Sequence, residues 1–222
     1  MAKNVDLTNV RFLGFEGTNT MSGEVTGLQR RIRHLSPHCI YINCRNHRLA
    51  LCLKHLMKEY PLLIEVDSIL LSVWKLFEYS PQKFSMLNDI QQTYGLKPLT
   101  FIRAATTRWL SHLTACTRLS DRFVQVLDVL DDIYNEKKDH EIYGIIEGLL
   151  QKPLVAMILL LCDVLRPLHI LSQYLQGSDV NFTYLPFHLK RTTDQLQSLI
   201  DSLKNNDETT KFSKADTFFN EI

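Results

Sequence analysis

The sequence predicts a mainly α-helical protein with a small α/β part at its N-terminal end. Within residues 1–60, short apolar runs typical of strands alternate with segments of helical period. From Pro61 onward the apolar residues recur at helical spacing only. The chain has only 8 glycines and 7 prolines in 222 residues, which favours helices over an all-β architecture rich in turns.

Two strands and two helices are predicted in the first sixty residues. Residues 10–15 form a short apolar run, and residues 39–43 are rich in β-branched and aromatic side chains. Residues 23–35 and 46–60 carry apolar side chains at helical spacing. This alternation predicts a parallel βαβ unit. Two strands alone do not make a stable sheet, so the unit needs partner strands that the chain does not obviously supply.

Six further helices are predicted in the rest of the chain. Pro61, Pro81 and Pro153 lie where helices are expected to begin, and Pro167 should kink or split the fifth helix. The predicted segments are residues 62–79, 82–94, 107–135, 141–150, 153–175 and 185–204. The tail, residues 205–222, is predicted to be polar and frayed, although Phe218 and Phe219 indicate a further packing partner.

Composition argues against membrane insertion and secretion. No window of eighteen apolar residues exists, and the longest apolar run, residues 154–162, is too short to span a bilayer. The first ten residues lack the apolar core of a signal peptide. Five cysteines in a chain expected to be intracellular favour free thiols or metal ligands over disulfides.

Positive charge is concentrated at the N-terminal end. Residues 1–60 carry nine Lys and Arg against four acids, while residues 61–222 carry sixteen against twenty. A basic region could face the phosphates of DNA, and Arg30, Arg31 and Arg33 are its candidate contacts. The alternative is an ordinary solvated surface, because the pI of about 7.7 falls short of a strongly basic domain.

Glu16 is the candidate catalytic residue, because it stands at the carboxyl end of the first predicted strand. Open α/β sheets place catalytic and binding groups at that end. A carboxylate there could hold Mg²⁺ for phosphoryl transfer, but such a site needs at least three acids from separate elements. The alternative is a polar residue at a strand-to-loop corner.

A cluster of soft metal ligands follows the second predicted strand. Cys44 and His47 form one C-x-x-H pair, and Cys52 and His55 form another. A helix rises about 16 Å over these eleven steps, so the four groups cannot converge on one zinc ion. Each pair would need further ligands from elsewhere to bind zinc, and that alternative stays open. We predict a structural role for Cys44 and His47 and no bound metal.

The segment Thr107-Arg108-Trp109 is predicted to begin the longest helix. Arg108 could bind phosphate, and Trp109 could stack on a base. The alternative is that Trp109 is a core side chain and Arg108 an exposed charge.

Three segments together resemble one protein family. Residues 14–23 (GFEGTNTMSG) resemble the D-G-A-x-x-M-x-G block of hAT-superfamily transposases. Residues 42–51 (INCRNHRLAL) resemble that family's C-x-x-H block, and residues 107–111 (TRWLS) resemble its R-W block. The order and spacing also agree, and the resemblance covers roughly residues 10–200.

The resemblance implies a ribonuclease H-like core in which three acids hold two metal ions for DNA strand cleavage. Glu16 occupies the place of the second acid, an Asp in the family, and its extra methylene disturbs a strict Mg²⁺ geometry. The first acid is expected on a strand before this chain begins, and the third beyond Ile222. Trp109 matches the family tryptophan that supports handling of the DNA hairpin.

The resemblance thus predicts an incomplete ribonuclease H-like core of about two strands in residues 1–60. An all-helical insertion domain would fill residues 61–204, and residues 205–222 would be the polar tail. The implied protein is a domesticated or truncated transposase derivative, inactive alone, that interacts with DNA or with protein partners in the nucleus, the cytoplasm also being open. No cofactor is expected, apart from Mg²⁺ if an intact core were assembled. The oligomeric state stays open.

Two alternatives remain open at this point. The chain could be part of an active hAT-type DNA transposase. It could also be a helical protein-interaction scaffold without DNA binding.

Overall fold

The computed structural model describes residues 6–104, 110–177, 181–205, 212 and 215–221. The chain forms two compact units, Met1–His55 and Leu56–Ile222, which are called unit 1 and unit 2 below. The protein is mainly helical, as predicted, and the strands among the described residues form one small parallel sheet.

Unit 1 contains the two predicted strands. Strand β1 (Phe12–Phe15) pairs in parallel with β2 (Ile40–Asn43), with Phe12 opposite Ile40 and Phe15 opposite Asn43. Between the strands lie helices α1 (Asn19–Ser22) and α2 (Leu28–Leu35). Helix α3 (Arg45–Glu59) follows β2, and the division between the units falls within it. The predicted parallel strand–helix–strand unit is therefore confirmed.

Helix α2 is shorter than the predicted segment of residues 23–35. Its first part is replaced by a tight turn in which the Gly27 N–H donates to the Gly23 carbonyl over 3.1 Å. A Cβ atom at Gly27 would lie only 2.4 Å from that carbonyl oxygen, so the close approach of the backbone requires glycine. The helix begins only after this turn, with Gly27 as its N-cap.

Unit 2 is all-helical in the described residues. Proline at the first or second position begins α4, α5, α9 and α10, and the Ser80 and Asp139 side chains cap α5 and α8. The helices are α4 (Pro61–Glu78), α5 (Pro81–Thr93), α6 (Leu110–Asp121), α7 (Phe123–Lys137), α8 (His140–Leu149), α9 (Lys152–Gln176), α10 (Leu185–Lys204) and α11 (Ala215–Glu221).

The prediction of one continuous helix over residues 107–135 is wrong. Its part in the described residues is two helices, α6 and α7, which meet at Arg122 with φ −129° and ψ 23°, outside helical values. The Arg122 guanidinium donates to Gln91 Oε1 over 3.0 Å and to the Lys97 carbonyl over 3.1 Å. These hydrogen bonds to another part of unit 2 occur at the break between the helices. The spacing of apolar residues continues across this break and therefore does not reveal it.

Helix α9 is the centre of the unit 2 core and packs against α4, α6, α8, α10 and α11. Pro167 is buried within it, and the helix continues past this residue as one element instead of splitting. Among the described residues, α9 is also the one helix long and apolar enough to cross a membrane, and 44% of its most apolar window is buried inside the protein. The expectation that no helix spans a membrane stays a prediction.

The predicted frayed tail is wrong in part, because its last described residues form helix α11. Ala215 is buried in the core, and Phe218 and Phe219 pack against it. The rings of Phe218 and Phe123 meet edge to face with centroids 5.6 Å apart. The packing partner that the phenylalanine pair indicated is therefore present.

Candidate nucleic-acid interface

The carboxyl ends of β1 and β2 lie side by side in unit 1. The Cys44 N–H donates to the Phe15 carbonyl over 3.0 Å, which extends the pairing of the strands by one step. Glu16 follows Phe15 directly and is exposed. Glu16 and Asn43 therefore end neighbouring strands at the edge where open α/β sheets bind ligands.

A polar cleft opens beside this edge. It is lined by Ser22, Glu24, Gln29, Arg30, Arg33, Tyr41 and Asn43, and we call it the polar cleft. The α1–α2 segment supplies five of these side chains, and β2 supplies Tyr41 and Asn43. Two guanidinium groups, the Glu24 carboxylate and several neutral hydrogen-bonding groups are thereby brought together.

The structure groups two of the three arginines predicted to bind DNA. Arg30 and Arg33 are three residues apart on α2, so they share a face of the helix and both line the polar cleft. Arg31 lines a different groove together with Met21 and Leu28. All three are exposed, and within the part of the chain that the structure describes none of them makes an ion pair. Their charges are therefore available to an anion.

Gln29 is a residue of the polar cleft that the sequence analysis missed. Its side chain is 5% exposed, and its amide Nε2 donates to the Ser22 and Gly23 carbonyls over 3.4 and 3.2 Å. Its Oε1 is buried without a hydrogen-bond partner among the described residues. Nothing in the sequence signalled this burial, because glutamine is more often exposed.

Tyr41 and Asn43 form a fixed polar pair in the polar cleft. The Tyr41 hydroxyl donates to Asn43 Oδ1, and the Tyr41 ring lies 6.3 Å from that of Phe15 at a tilt of 34°. Both contacts restrain the half-buried phenol ring. The ring therefore offers a pre-oriented aromatic surface at the cleft.

The other predicted site residues do not assemble into a metal centre in the described part of the chain. No group of three or more His, Cys, Asp or Glu side chains there is close enough to hold a metal ion. Cys44 and His47 are half-buried, whereas Cys52 and His55 are exposed. None of the five cysteines, all of which lie in described segments, forms a disulfide. Arg108 and Trp109 lie outside the described residues.

Unit 2 contains a buried polar contact that the sequence did not reveal. His112 is 2% exposed, and its Nε2 lies 3.0 Å from Asp67 Oδ1. Cys116 follows one turn later on α6 and is fully buried. Burial, and then the proximity of Cys162 and Asp67, raise the pKa of the Cys116 thiol far above its ordinary value. Because a thiol must ionise to act as a nucleophile, the raised pKa disfavours a nucleophilic role for Cys116.

Comparison with known proteins adds no relative. No protein-family model, no curated protein and no solved structure matches this chain significantly.

Proposed function

We propose that this chain is a transposase-derived protein that binds nucleic acid through unit 1. The observation that carries the proposal is the polar cleft, in which the exposed Arg30 and Arg33 line one surface with Tyr41 and Asn43 of β2. Arg31 extends the positive charge to the neighbouring groove. Arginines without ion-pair partners in the described structure are suited to phosphate, which they bind with charge-assisted hydrogen bonds.

The proposed origin rests on the resemblance of three sequence blocks to hAT-superfamily transposases. It would make residues 1–60 part of a ribonuclease H-like core and residues 61–204 the helical insertion domain. The parallel strand pair, with Glu16 directly after β1, is consistent with that arrangement. A nuclear location follows from the same proposal.

We further propose that the chain does not cleave DNA alone. Two-metal cleavage places several carboxylates around the metal ions, and the resemblance assigns only Glu16 to this chain. Glu16 is also one methylene longer than the Asp it replaces, so its oxygen atoms would not reach the same positions.

Binding can be measured by fluorescence anisotropy with a labelled duplex and a labelled single strand at 50 mM salt. Replacing Arg30, Arg31 and Arg33 with Gln should weaken binding at least tenfold. It should also reduce the slope of log K against log salt by about 0.9 for each lost duplex phosphate contact. The matched control replaces three exposed basic residues of unit 2, Arg166, Lys190 and Arg191, and should bind almost as the parent does. If the parent chain does not bind nucleic acid at low salt, the proposal is wrong.

Cleavage can be measured as nicking of a supercoiled plasmid in the presence of Mg²⁺ or Mn²⁺. We expect no activity from the purified chain. Metal-dependent nicking that disappears in Glu16→Gln would instead support the alternative, an active transposase subunit.

A second candidate function, a helical protein-interaction scaffold, is favoured by helix α10. Its side chains Phe187, Leu189 and Ile200 are 62%, 47% and 44% exposed. Exposed apolar side chains on a helix surface can serve as contacts for a protein partner. This alternative predicts no affinity for nucleic acid even at low salt.

A further inference from the structure

The oxygen of the Gln29 side chain lacks a hydrogen-bond donor in the described structure of the polar cleft. The amide nitrogen of Gln29 faces two backbone carbonyls, which can only accept hydrogen bonds, so the orientation of the amide is fixed by its surroundings. The oxygen is therefore an acceptor held in place, buried, and without a donor in the described structure. Buried polar atoms in native proteins are nearly always satisfied, so an unsatisfied one in a cleft wall points to a ligand.

The residues that line the cleft indicate the chemistry of that ligand. Arg30 and Arg33 offer donors and positive charge, which suit a phosphate. Gln29 Oε1, together with the exposed carboxylate of Glu24, offers acceptors, which suit an N–H group. A ligand that carries a phosphate and an N–H donor on a base satisfies both sets, and a nucleotide has this composition.

We infer that the polar cleft binds an unpaired nucleotide, with its phosphate on Arg30 and Arg33 and a base N–H donating to Gln29 Oε1. This inference rests on the proposed nucleic-acid function and names the part of the nucleic acid that the site takes. The Tyr41 ring, held by Asn43, provides an aromatic surface on which the base can stack.

The recessed position of the acceptor selects an unpaired base over a base pair. A protein reads a duplex with side chains that project into a groove. Gln29 does the opposite, because it is 5% exposed and lies in the wall of a concave surface. A base can reach it only after leaving the stack, as in enzymes that bind an extruded nucleotide.

The test compares two single strands of twelve nucleotides, one of deoxyadenosine and one of purine deoxynucleoside, whose base has no N–H donor. Anisotropy with the full chain should show the adenine strand binding about threefold to tenfold more tightly, the value of one hydrogen bond. In Gln29→Met the adenine strand should lose this advantage. Because both strands are measured on the same variant, a general weakening of the site cancels.

The parent chain alone keeps the test decisive if Gln29→Met fails to fold, since equal binding of the two strands by the parent would already overturn the inference. Persistence of the adenine preference in a folded Gln29→Met protein would also overturn it. Arg166→Gln, an exposed position on unit 2, is the control that should leave the preference unchanged.

Two further arms identify the source of the nucleotide. Competition by deoxyadenosine monophosphate with the same dependence on Gln29 would show that a free nucleotide suffices. A duplex that binds without discriminating adenine from purine, while the single strand does discriminate, would support the unpaired base. If nucleic acid binds and no arm discriminates the two bases, the inference fails while the proposed function stands.

Discussion

At the scale of single residues, one buried amide holds together a segment that has no regular structure. Gln91 is fully buried, and its Oε1 accepts from the Leu99 N–H over 2.9 Å and from Arg122 Nε over 3.0 Å. Arg122 also donates to the Lys97 carbonyl. The residues after α5 are thereby tied to the junction of α6 and α7.

Gln91→Leu should destabilise unit 2, because it leaves the Leu99 N–H and the Arg122 guanidinium without their acceptor. We expect the free energy of unfolding to fall by about 2–3 kcal/mol, the cost of leaving buried donors unpaired. Urea denaturation measures it. Gln92→Leu is the matched control, since Gln92 is exposed and should change the stability by less than about 0.5 kcal/mol. Equal effects of the two substitutions would contradict this account.

The thiols of the protein should differ sharply in reactivity. Cys52 is exposed, whereas Cys39, Cys116 and Cys162 are buried, and burial raises the pKa of Cys116. At pH 8 the native protein should therefore alkylate at Cys52 within minutes and at the buried thiols only after urea unfolds the chain. Mass spectrometry of the digested protein locates the label. Rapid labelling of Cys116 in the native protein would contradict its burial on α6.

Burial of polar residues is what the sequence conceals at this scale. The type and spacing of Arg30 and Arg33 were enough to propose them as phosphate ligands. Gln29 and His112 carried no such signal, because glutamine and histidine are more often exposed and their burial depends on neighbours distant in sequence. The sequence therefore predicted the two charged residues of the candidate site but not its buried acceptor, Gln29.

At the scale of helices and strands, local chemistry explains what could be predicted. The proline that begins α4 and the Ser80 cap of α5 act on the backbone beside them, and both helix starts were predicted to within a residue or two. The break at Arg122 was missed because its hydrogen bonds reach Gln91 and Lys97. Apolar spacing alone continues across such a break.

Helix α8 carries two glycines whose replacement by alanine should change the stability of unit 2 differently. A Cβ at Gly144 would meet nothing within 4 Å, whereas one at Gly148 would lie 2.6 Å from Ile69 Cδ1 of α4. Gly144→Ala should stabilise unit 2 by about 0.5–1 kcal/mol through helix propensity and reduced freedom of the unfolded chain. Gly148→Ala should gain less or lose stability, because Ile69 must move.

Thermal and urea unfolding of the two variants measure this difference. Ile69→Val removes the contacting methyl group, so in that background Gly148→Ala should behave more like Gly144→Ala. If Gly148→Ala stabilises the parent chain as much as Gly144→Ala does, the close packing of α8 on α4 is contradicted.

At the scale of the whole molecule, the two units differ in how much they bury. In the described part of unit 1 the buried apolar side chains are Ile32 and Cys39, while unit 2 has a large core around α9. On the sheet of unit 1, Phe12, Ile40 and Ile42 are 69%, 54% and 46% exposed. Parallel sheets are normally covered on both faces, so this sheet is under-stabilised, as its two strands alone predicted.

Hydrogen exchange should therefore proceed in two stages. The amides of β1 and β2 open locally with little free energy, whereas those of α7 and α9 should exchange only through global unfolding of unit 2. With a global stability of about 5 kcal/mol or more, we expect the unit 2 core to exchange at least about a thousandfold more slowly. Mass spectrometry with peptide resolution measures this, and equal protection of the two units would contradict it.

A bound nucleic acid should then raise the protection of unit 1 alone. A ligand that binds only the folded form, at a concentration about a hundredfold above its Kd, adds about 2.7 kcal/mol to the stability of what it binds, or roughly a hundredfold in exchange. Because the polar cleft is built from α2 and β2, the single strand should slow exchange there and leave α7 and α9 unchanged. Protection confined to α10 would instead place the nucleic-acid surface on unit 2 and contradict the polar cleft as the binding site.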